Sequence, residues 1–110
     1  MALRRQIEYP RGYARVNVSP SAVTFTGSKG INDVDRSTTD NSIYCFDLKF
    51  APRTAVGSAH FNNATVGIAL GSTVPASCPA GYKDAAARTF AANDPISTPR
   101  SDLNFYIVFI

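Results

Sequence analysis

The chain has 110 residues, of which 45% are hydrophobic and 17% charged, and its formal net charge is +3. This length fits one domain with a modest core, and the composition excludes a chain that is disordered throughout. Its basic residues are scattered instead of clustered, and it has no apolar run of about 18 residues, so we predict neither a nucleic-acid-binding protein nor a membrane span.

Residues 1–11 differ from the rest of the chain because they carry Arg4, Arg5 and Arg11 in a short stretch. They contain no apolar run, so they are not a signal peptide, and any export signal is expected upstream in a longer natural protein. We expect a basic tail or the junction to a stalk here, with contact to an anionic partner as the alternative. The folded domain is then expected to span residues 12–110.

From residue 12 onward, proline and glycine interrupt the chain about every ten residues, which is typical of short strands in a sandwich or barrel. Residues 12–18 alternate between apolar and polar side chains and predict a first strand. Val23 and Phe25 predict a second strand, and Ile31 and Val34 fit either a weak third strand or an irregular segment. Residues 36–42 are polar and predict a loop.

Residues 42–50, SIYCFDLKF, show the strongest strand pattern in the chain. Alternate positions place four large apolar residues on one side of this strand, namely Tyr44, Phe46, Leu48 and Phe50. The opposite side begins apolar and ends charged, with Ile43, Cys45, Asp47 and Lys49. We therefore expect the strand to enter the interior at its first residues and to leave it at its last.

The next segments predict two more strands and an ambiguous one. Residues 55–61 and 64–70 are strand-like, and Asn62-Asn63 between them suits a tight hairpin. Residues 71–83 contain two prolines and two glycines and predict a loop. The alanines of residues 85–92 favour a helix, but the alternation there and the β surroundings favour a strand.

Residues 103–110, LNFYIVFI, are apolar on both sides after Asn104. This pattern indicates a central strand that is covered twice, or one that packs against another subunit. Phe105, Ile107 and Phe109 are expected to pack centrally or between subunits. Together the elements predict an all-β protein, a single antiparallel β-sandwich that is jelly-roll-like, with about eight strands and little helix.

Cys45 lies in the strongest strand and Cys78 in a loop, and the chain has no other cysteine. Their spacing is far from a C-x-x-C pair, and the lone His60 cannot complete a zinc site. A disulfide between them would stabilise the domain by roughly 3 to 4 kcal/mol through loop-closure entropy. Two buried free thiols are the alternative.

No group of residues forms a catalytic signature, so we predict a protein that is not an enzyme and has no cofactor. His60 would need a nucleophile and a carboxylate, and no G-x-S-x-G elbow is present. The GSKG sequence of residues 27–30 lacks the rest of a phosphate-binding loop and predicts a hairpin turn. A secreted hydrolase that uses His60 is the less favoured alternative.

Asp33, Asp35 and Asp40 lie in the sequence INDVDRSTTDNS, whose opening resembles the first half of a calcium loop. The loop glycine and the closing glutamate are missing, so a solvated acidic turn is favoured over a metal site. Since loops on a rigid scaffold carry recognition, we expect a ligand at residues 33–41 and 71–83. The candidate ligand residues are Asp33, Asp35, Asp40 and Tyr82.

The order of several short motifs resembles a known group of domains. These motifs are YARV at residues 13–16, GSKGI at 27–31, IYCFDL at 43–48, CPAGY at 78–82, ARTF at 87–90 and FYIVF at 105–109. The series is similar to a small C-terminal β domain of exported actinobacterial proteins, which often carry a collagen-like or other repetitive stalk. The resemblance runs from Tyr13 to the end and implies that Cys45 and Cys78 pair outside the cytoplasm.

A second likeness, at the level of the fold, is to the C1q and tumour-necrosis-factor jelly rolls, which are trimers at the ends of collagen stalks. Residues 42–46 and 104–109 lie in matching places, although Ser42 replaces the family's glycine. The likeness implies a homo-oligomer, such as a trimer, with the apolar C-terminal strand at its interface.

The sequence as a whole predicts a non-enzymatic structural or binding head of an extracellular or cell-surface fibrous protein. Its surface ligand is not identified by the sequence. The alternative is a bacteriophage tail-fibre or capsid-decoration protein on the virion surface, which would share all of these features.

Overall fold

The computed structural model describes residues 10–59, 64–91, 99–100 and 103–110. The strands are β1 (Gly12–Val18), β2 (Val23–Lys29), β3 (Ile31–Arg36), β4 (Ile43–Leu48), β5 (Ala55–Ala59), β6 (Ala64–Leu70), β7 (Ala85–Ala91), β8 (Pro99–Arg100) and β9 (Phe105–Phe109). Within these ranges there is no α-helix, and a 3-10 turn follows β6 at Gly71–Thr73. The predictions for the tail at residues 1–9 and for His60 lie outside the described residues, and so do the two turn residues Asn62 and Asn63 themselves.

The strands form two antiparallel sheets that pack face to face. Sheet A has the order β2-β1-β9-β5, and sheet B has the order β3-β4-β7-β6. The two-residue β8 pairs with β7 at Thr89 and Phe90, next to Arg88, which is paired with the first residue of β4, Ile43. Eight main strands in two four-stranded sheets confirm the predicted sandwich and give the layer arrangement found in jelly rolls.

The core lies between the sheets and is built from alternate residues of each strand. In β1 the side chains of Ala14 and Val16 are buried. Two pairs of aromatic rings connect β4 of sheet B to β9 of sheet A, namely Tyr44 with Phe105 and Phe46 with Phe109. Their centroids are 5.3 Å and 5.4 Å apart, distances at which aromatic pairs add to the stability that burial provides.

The alternation predicted for the strongest strand is confirmed in β4. Tyr44, Phe46 and Leu48 are buried in the core, and Phe50 is half-buried just beyond the end of the strand. On the other side of β4, the apolar residues Ile43 and Cys45 are also buried, whereas Lys49 is exposed. The strand β7 (Ala85–Ala91) confirms the choice of strand over helix for the alanine-rich segment.

Both predicted hairpins are wrong, because each pair of strands divides between the two sheets. β5 pairs with β9 in sheet A, whereas β6 pairs with β7 in sheet B. Likewise β2 lies in sheet A and β3 in sheet B, so the GSKG sequence ends β2 and leads into a corner at Gly30. Gly30 has φ +72°, and a Cβ there would lie 2.6 Å from the Arg11 carbonyl oxygen. A corner this tight requires glycine.

β9 is the central strand predicted for the C-terminus, since it lies between β1 and β5. Phe105, Ile107 and Phe109 are 0%, 1% and 0% exposed. These side chains fill the core of the single chain, which corrects the expectation that they line an interface between subunits. On the outer side of β9, Tyr106 is 41% exposed.

Candidate binding surfaces

A disulfide between Cys45 and Cys78 fixes a loop on the outer side of sheet B. The Cα atoms of the two residues are 5.7 Å apart, and no free cysteine remains. Around the bond, Ile43 and Ala86 form a second small apolar cluster, with Val74 and Tyr82 packed against it. The structure therefore confirms the pairing and places residues 71–84 on the sheet.

The two loops that were predicted to carry recognition are in contact with each other. Thr38 N donates to the Ser77 carbonyl oxygen at 2.9 Å, and Ser37 Oγ donates to Ser77 Oγ at 2.7 Å. At the far end of the loop, Asp84 Oδ2 accepts a hydrogen bond from Leu48 N at 2.9 Å. The disulfide and these bonds together hold the loop as a fixed part of the surface.

Three of the four predicted ligand residues lie together on the outer side of sheet B. The Tyr82 hydroxyl donates a hydrogen bond to the Asp33 carboxylate. Asp35 is on the same strand, and Asp47 lies opposite Asp33 on β4. We call Asp33, Asp35, Asp47 and Tyr82 the aspartate face. The hydrogen bond to Asp33, followed by desolvation and by the charges of the aspartates, raises the pKa of Tyr82 to about 12.

Asp40, the fourth predicted ligand residue, lies apart from the other three. Its carboxylate accepts hydrogen bonds from the Ser42 hydroxyl at 2.6 Å and the Ser42 backbone N at 2.9 Å, and it pairs with Arg88 Nη2. The Ser42 bonds, with the added charge of Arg88, hold the pKa of Asp40 below its ordinary value. Asp40 therefore joins the β3–β4 loop to β7 and has a structural role.

An open cleft of about 220 Å³ lies on the outer side of sheet B. Gly67, Ala69 and Ala86 lie at outward positions of β6 and β7 and form its floor, and Pro75 of the disulfide loop forms one wall. Among the described residues that line it, Arg88 is the one with a charge. Small residues create this space: a Cβ on Gly67 would lie 3.2 Å from Phe90 Cε2. Sequence reasoning missed the cleft, although a glycine inside a strand is a signal of close approach.

The outer side of sheet A carries an exposed row of aromatic and basic residues. Strand register places Lys29, Tyr13, Val108 and Val56 in one line across the sheet, and Arg15 next to Tyr106 in the neighbouring line. Tyr13, Tyr106 and Val56 are 39%, 41% and 63% exposed. The Arg15 guanidinium lies over the Tyr106 ring, 5.9 Å from its centroid. We call these six residues the tyrosine face.

The described side-chain carboxylates all belong to sheet B or its loops, and they are Asp33, Asp35, Asp40, Asp47 and Asp84. Among the described residues, the charged side chains on or beside sheet A are those of Arg11, Arg15, Lys29 and Arg53. Asp40 pairs with Arg88, but Asp33, Asp35 and Asp47 form no ion pair with described residues. Sheet B and its loops also carry the cations Arg36, Lys49, Lys83 and Arg88, so carboxylates and cations lie side by side there, whereas the charged side chains described on sheet A are all basic.

Three further observations bear on the function. In the described part of the chain, no three histidine, cysteine, aspartate or glutamate residues are arranged to hold a metal ion. None of the described segments forms a helix long and apolar enough to cross a bilayer. Comparison of the chain with protein-family models, with curated proteins and with solved structures finds no significant match.

Proposed function

We propose that this chain is a non-enzymatic binding head of an extracellular or cell-surface protein, and that the cleft on sheet B is its ligand site. The cleft carries this proposal because a covalently held loop forms its wall and small strand residues form its floor. Recognition sites of this kind combine an apolar floor with a few fixed polar groups.

The disulfide supports the location, since such bonds persist in oxidising compartments outside the cytoplasm. The motif order that resembles stalked exported proteins supports the arrangement of a compact head at the end of a longer chain. The basic residues 4, 5 and 11 suit the junction to such a stalk.

The size and lining of the cleft define the class of ligand. Since a cavity of about 150 Å³ holds benzene, a cleft of this volume holds an apolar group of about eight to ten non-hydrogen atoms. Arg88 is fixed at the rim because its Nε donates to Ser42 Oγ at 3.2 Å and its Nη2 pairs with Asp40. A ligand with a compact apolar body and a carboxylate or other hydrogen-bond acceptor fits both features.

Nuclear magnetic resonance titration with benzoate, benzyl alcohol and benzylamine tests the site. We expect benzoate to shift the amide signals of Gly67, Ala69 and Ala86 most strongly, and benzylamine least, because Arg88 has further N–H groups that can donate to a carboxylate, whereas an ammonium group offers no acceptor. Ala69→Leu should abolish these shifts by filling the cleft. Thr24→Leu, an exposed strand position on sheet A, is the matched control and should leave them unchanged. Shifts that persist in Ala69→Leu would place the ligand elsewhere.

The non-enzymatic part of the proposal needs a separate test. We expect no turnover above that of buffer on a panel of chromogenic esters, peptides and glycosides. Turnover that His60→Ala abolishes would overturn the proposal and support the hydrolase alternative.

A further inference from the structure

The strand β6 is one edge of sheet B, and part of its backbone has no hydrogen-bonding partner among the described residues. Gly71 N donates to the Asp84 carbonyl oxygen at 3.3 Å, which fixes the antiparallel hydrogen-bond pattern between β6 and β7. In that pattern every second residue of β6 turns its N–H and C=O groups away from β7. These residues are Val66, Ile68 and Leu70. The groups of Leu70 bond to Thr73 Oγ1 at 3.1 Å and 2.7 Å, so those of the other two form the free edge.

This edge of sheet B differs from the opposite edge in how it is protected. Native edge strands are kept from pairing with other chains by charged residues, prolines or bulges. The opposite edge, β3, carries Asp33 and Asp35, and its register with β4 shifts between Ile31 and Asp33. The sequence of β6, ATVGIAL, has no charge or proline, and it pairs with β7 without a shift in register. The edge of β6 therefore suits an added strand.

A strand added to β6 would reach the cleft. It would lie about 4.8 Å from β6, and its residue opposite Gly67 would point to the same outer side as the floor of the cleft. Since Gly67 has no side chain, an aromatic ring on the added strand can lie across it. A tyrosine side chain has the size deduced for the ligand. Its hydroxyl can accept from the N–H groups of Arg88 that Ser42 and Asp40 do not use.

We infer that the cleft binds an extended peptide segment, which pairs antiparallel with the edge of β6 and lays an aromatic side chain, tyrosine above all, over Gly67. The inference rests on the proposed function and deepens it by naming the class of partner. Backbone hydrogen bonds give affinity in such strand additions, and a pocket selects the side chain. A second copy of the chain fits less well, because the small outward residues of its β6 would leave the cleft empty. These residues are Thr65, Gly67 and Ala69.

The peptide acetyl-KTVYVTK-amide tests the inference. At saturation we expect hydrogen exchange of the Val66 and Ile68 amides to slow at least about tenfold, because both then donate to the peptide backbone. Benzoate fills the cleft without offering a backbone and should leave these two rates unchanged. Replacing the peptide's tyrosine by phenylalanine should weaken binding about 2- to 10-fold through the lost hydrogen bond. Replacing it by alanine should weaken binding at least about 20-fold, since the ring is no longer buried.

Methylation of single peptide nitrogens provides a matched pair of probes. In the antiparallel arrangement, the two valines of the peptide turn their N–H groups towards β6, whereas the tyrosine N–H points away from it. N-methylation of both valines should therefore abolish the protection of the Val66 and Ile68 amides. N-methylation of the tyrosine should cost much less affinity. Equal losses, or losses in the reverse order, would contradict the inferred pairing.

The remaining outcomes separate the two proposals and the possible occupants. Benzoate shifts at the cleft without peptide protection of Val66 and Ile68 would overturn this inference and leave the proposed function standing. Ala69→Leu should weaken peptide binding, and the control Thr24→Leu should not; equal binding by the two variants would also overturn it. Protection of both amides without peptide, together with a mass of twice 11.8 kDa, would assign the edge to a second copy instead.

Discussion

Asp40 shows how one carboxylate, together with Ser42 and Arg88, stabilises the contact of a loop with a strand. The Asp40 and Arg88 side chains are 31% and 39% exposed, so solvent weakens their ion pair. The two hydrogen bonds from Ser42 are the larger causes of the lowered pKa of Asp40. The contact therefore depends mainly on hydrogen bonds to a charged acceptor, which contribute more than neutral ones.

Removing the charge of Asp40 should make the fold less stable and less sensitive to acid. The pKa of Asp40 in the folded state is below the ordinary value of 3.8. The contribution of its carboxylate to the stability of the fold is therefore complete above pH 3.8 and is lost as the pH falls through the folded pKa. We expect Asp40→Asn to lower the free energy of unfolding near neutral pH by about 1 kcal/mol. Urea unfolding from about pH 2 to pH 7 measures this, and the mutant should lose less stability in acid.

Asp35→Asn is the matched control for this prediction. Asp35 is exposed and forms no ion pair with a described residue, and its Oδ1 acceptor for Arg36 N is retained by the amide. We expect an effect of less than about 0.5 kcal/mol. An equal loss of stability in both variants would contradict the structural role of Asp40.

The contribution of Tyr82 to the stability of the fold should be lost as the pH rises, which is opposite to the behaviour of Asp40. The pKa of Tyr82 is raised from 10.0 to about 12, so its contribution to stability is complete below pH 10 and is lost between these two values. Asp33→Asn should return the Tyr82 pKa towards 10.0, because the hydrogen bond to the carboxylate is its largest cause. The difference in ultraviolet tyrosinate absorbance between each protein and its Tyr82→Phe derivative isolates this residue from the other four tyrosines.

Asp35→Asn should lower the Tyr82 pKa much less, since Asp35 acts only through its charge at longer range. Equal shifts of the Tyr82 pKa in the two asparagine variants would contradict this prediction. They would show that the summed negative charge of the aspartates, and not the hydrogen bond to Asp33, raises that pKa.

At the scale of elements, the alternation of apolar and polar residues predicted the strands well, but the turn residues between them did not predict which strands are neighbours. β1 and β4 appear where the sequence placed them, because alternate burial is a local property that any strand beside a core must show. The predictions of the two hairpins were wrong because turn residues indicate only that the chain changes direction. Whether the next strand joins the same sheet depends on distant partners, such as β9 for β5 and β7 for β6.

The alanine-rich β7 illustrates how the partners of a strand override local preference. Alanine favours helices, but Ala85 and Ala87 point into the core between β4 and β6 and are almost fully buried. Their small side chains leave room for the aromatic rings of β4 and β9. The sequence could indicate this only through the β character of the surrounding segments.

The close approach of β5 to β6 gives a prediction at this scale. A Cβ on Gly57 of β5 would lie 2.7 Å from Val66 Cγ1 of β6. We expect Gly57→Ala to lower the free energy of unfolding by about 1 to 3 kcal/mol through overpacking. Thermal and urea unfolding measure the loss.

A second substitution distinguishes overpacking from a backbone effect. In Gly57→Ala/Val66→Ala the space of the valine methyl groups accepts the new Cβ, so the double mutant should be more stable than the two single losses added together. Ser58→Ala, at the neighbouring outward position, is the control and should change stability by less than about 0.5 kcal/mol. Additive losses would contradict the contact between the sheets.

At the scale of the whole molecule, the surfaces are assembled from residues that are far apart in sequence. Tyr82 and Asp33 are separated by 49 positions, and the tyrosine face takes residues from four strands. The sequence nominated Asp33, Asp35 and Tyr82 as loop residues, but Asp33 and Asp35 lie in β3 and only Tyr82 lies in a loop. It could not reveal the tyrosine face or the grouping of the aspartates on sheet B, since both require knowledge of which strands are neighbours.

The disulfide affects the stability of the whole domain. We expect Cys45→Ala/Cys78→Ala to lower the free energy of unfolding by about 3 to 4 kcal/mol, because the bond closes a loop in the unfolded chain. Urea unfolding measures the loss, and reduction of the wild type should produce a similar one. The cleft should also lose affinity for benzoate as its Pro75 wall is released. A loss below about 1 kcal/mol would contradict this role.

The central position of β9 also affects when the domain can form during synthesis. The four long strands of sheet B all precede residue 105, whereas β1 and β5 receive their shared neighbour only when residues 105–109 have been made. At ribosomal rates, the chain from the end of β5 to β9 takes roughly 2 to 9 s to appear. During that interval β5 lacks its neighbouring strand in sheet A, and β1 lacks one of its two neighbouring strands. Slower translation over this stretch would lengthen the exposure of those edges and raise the risk of aggregation.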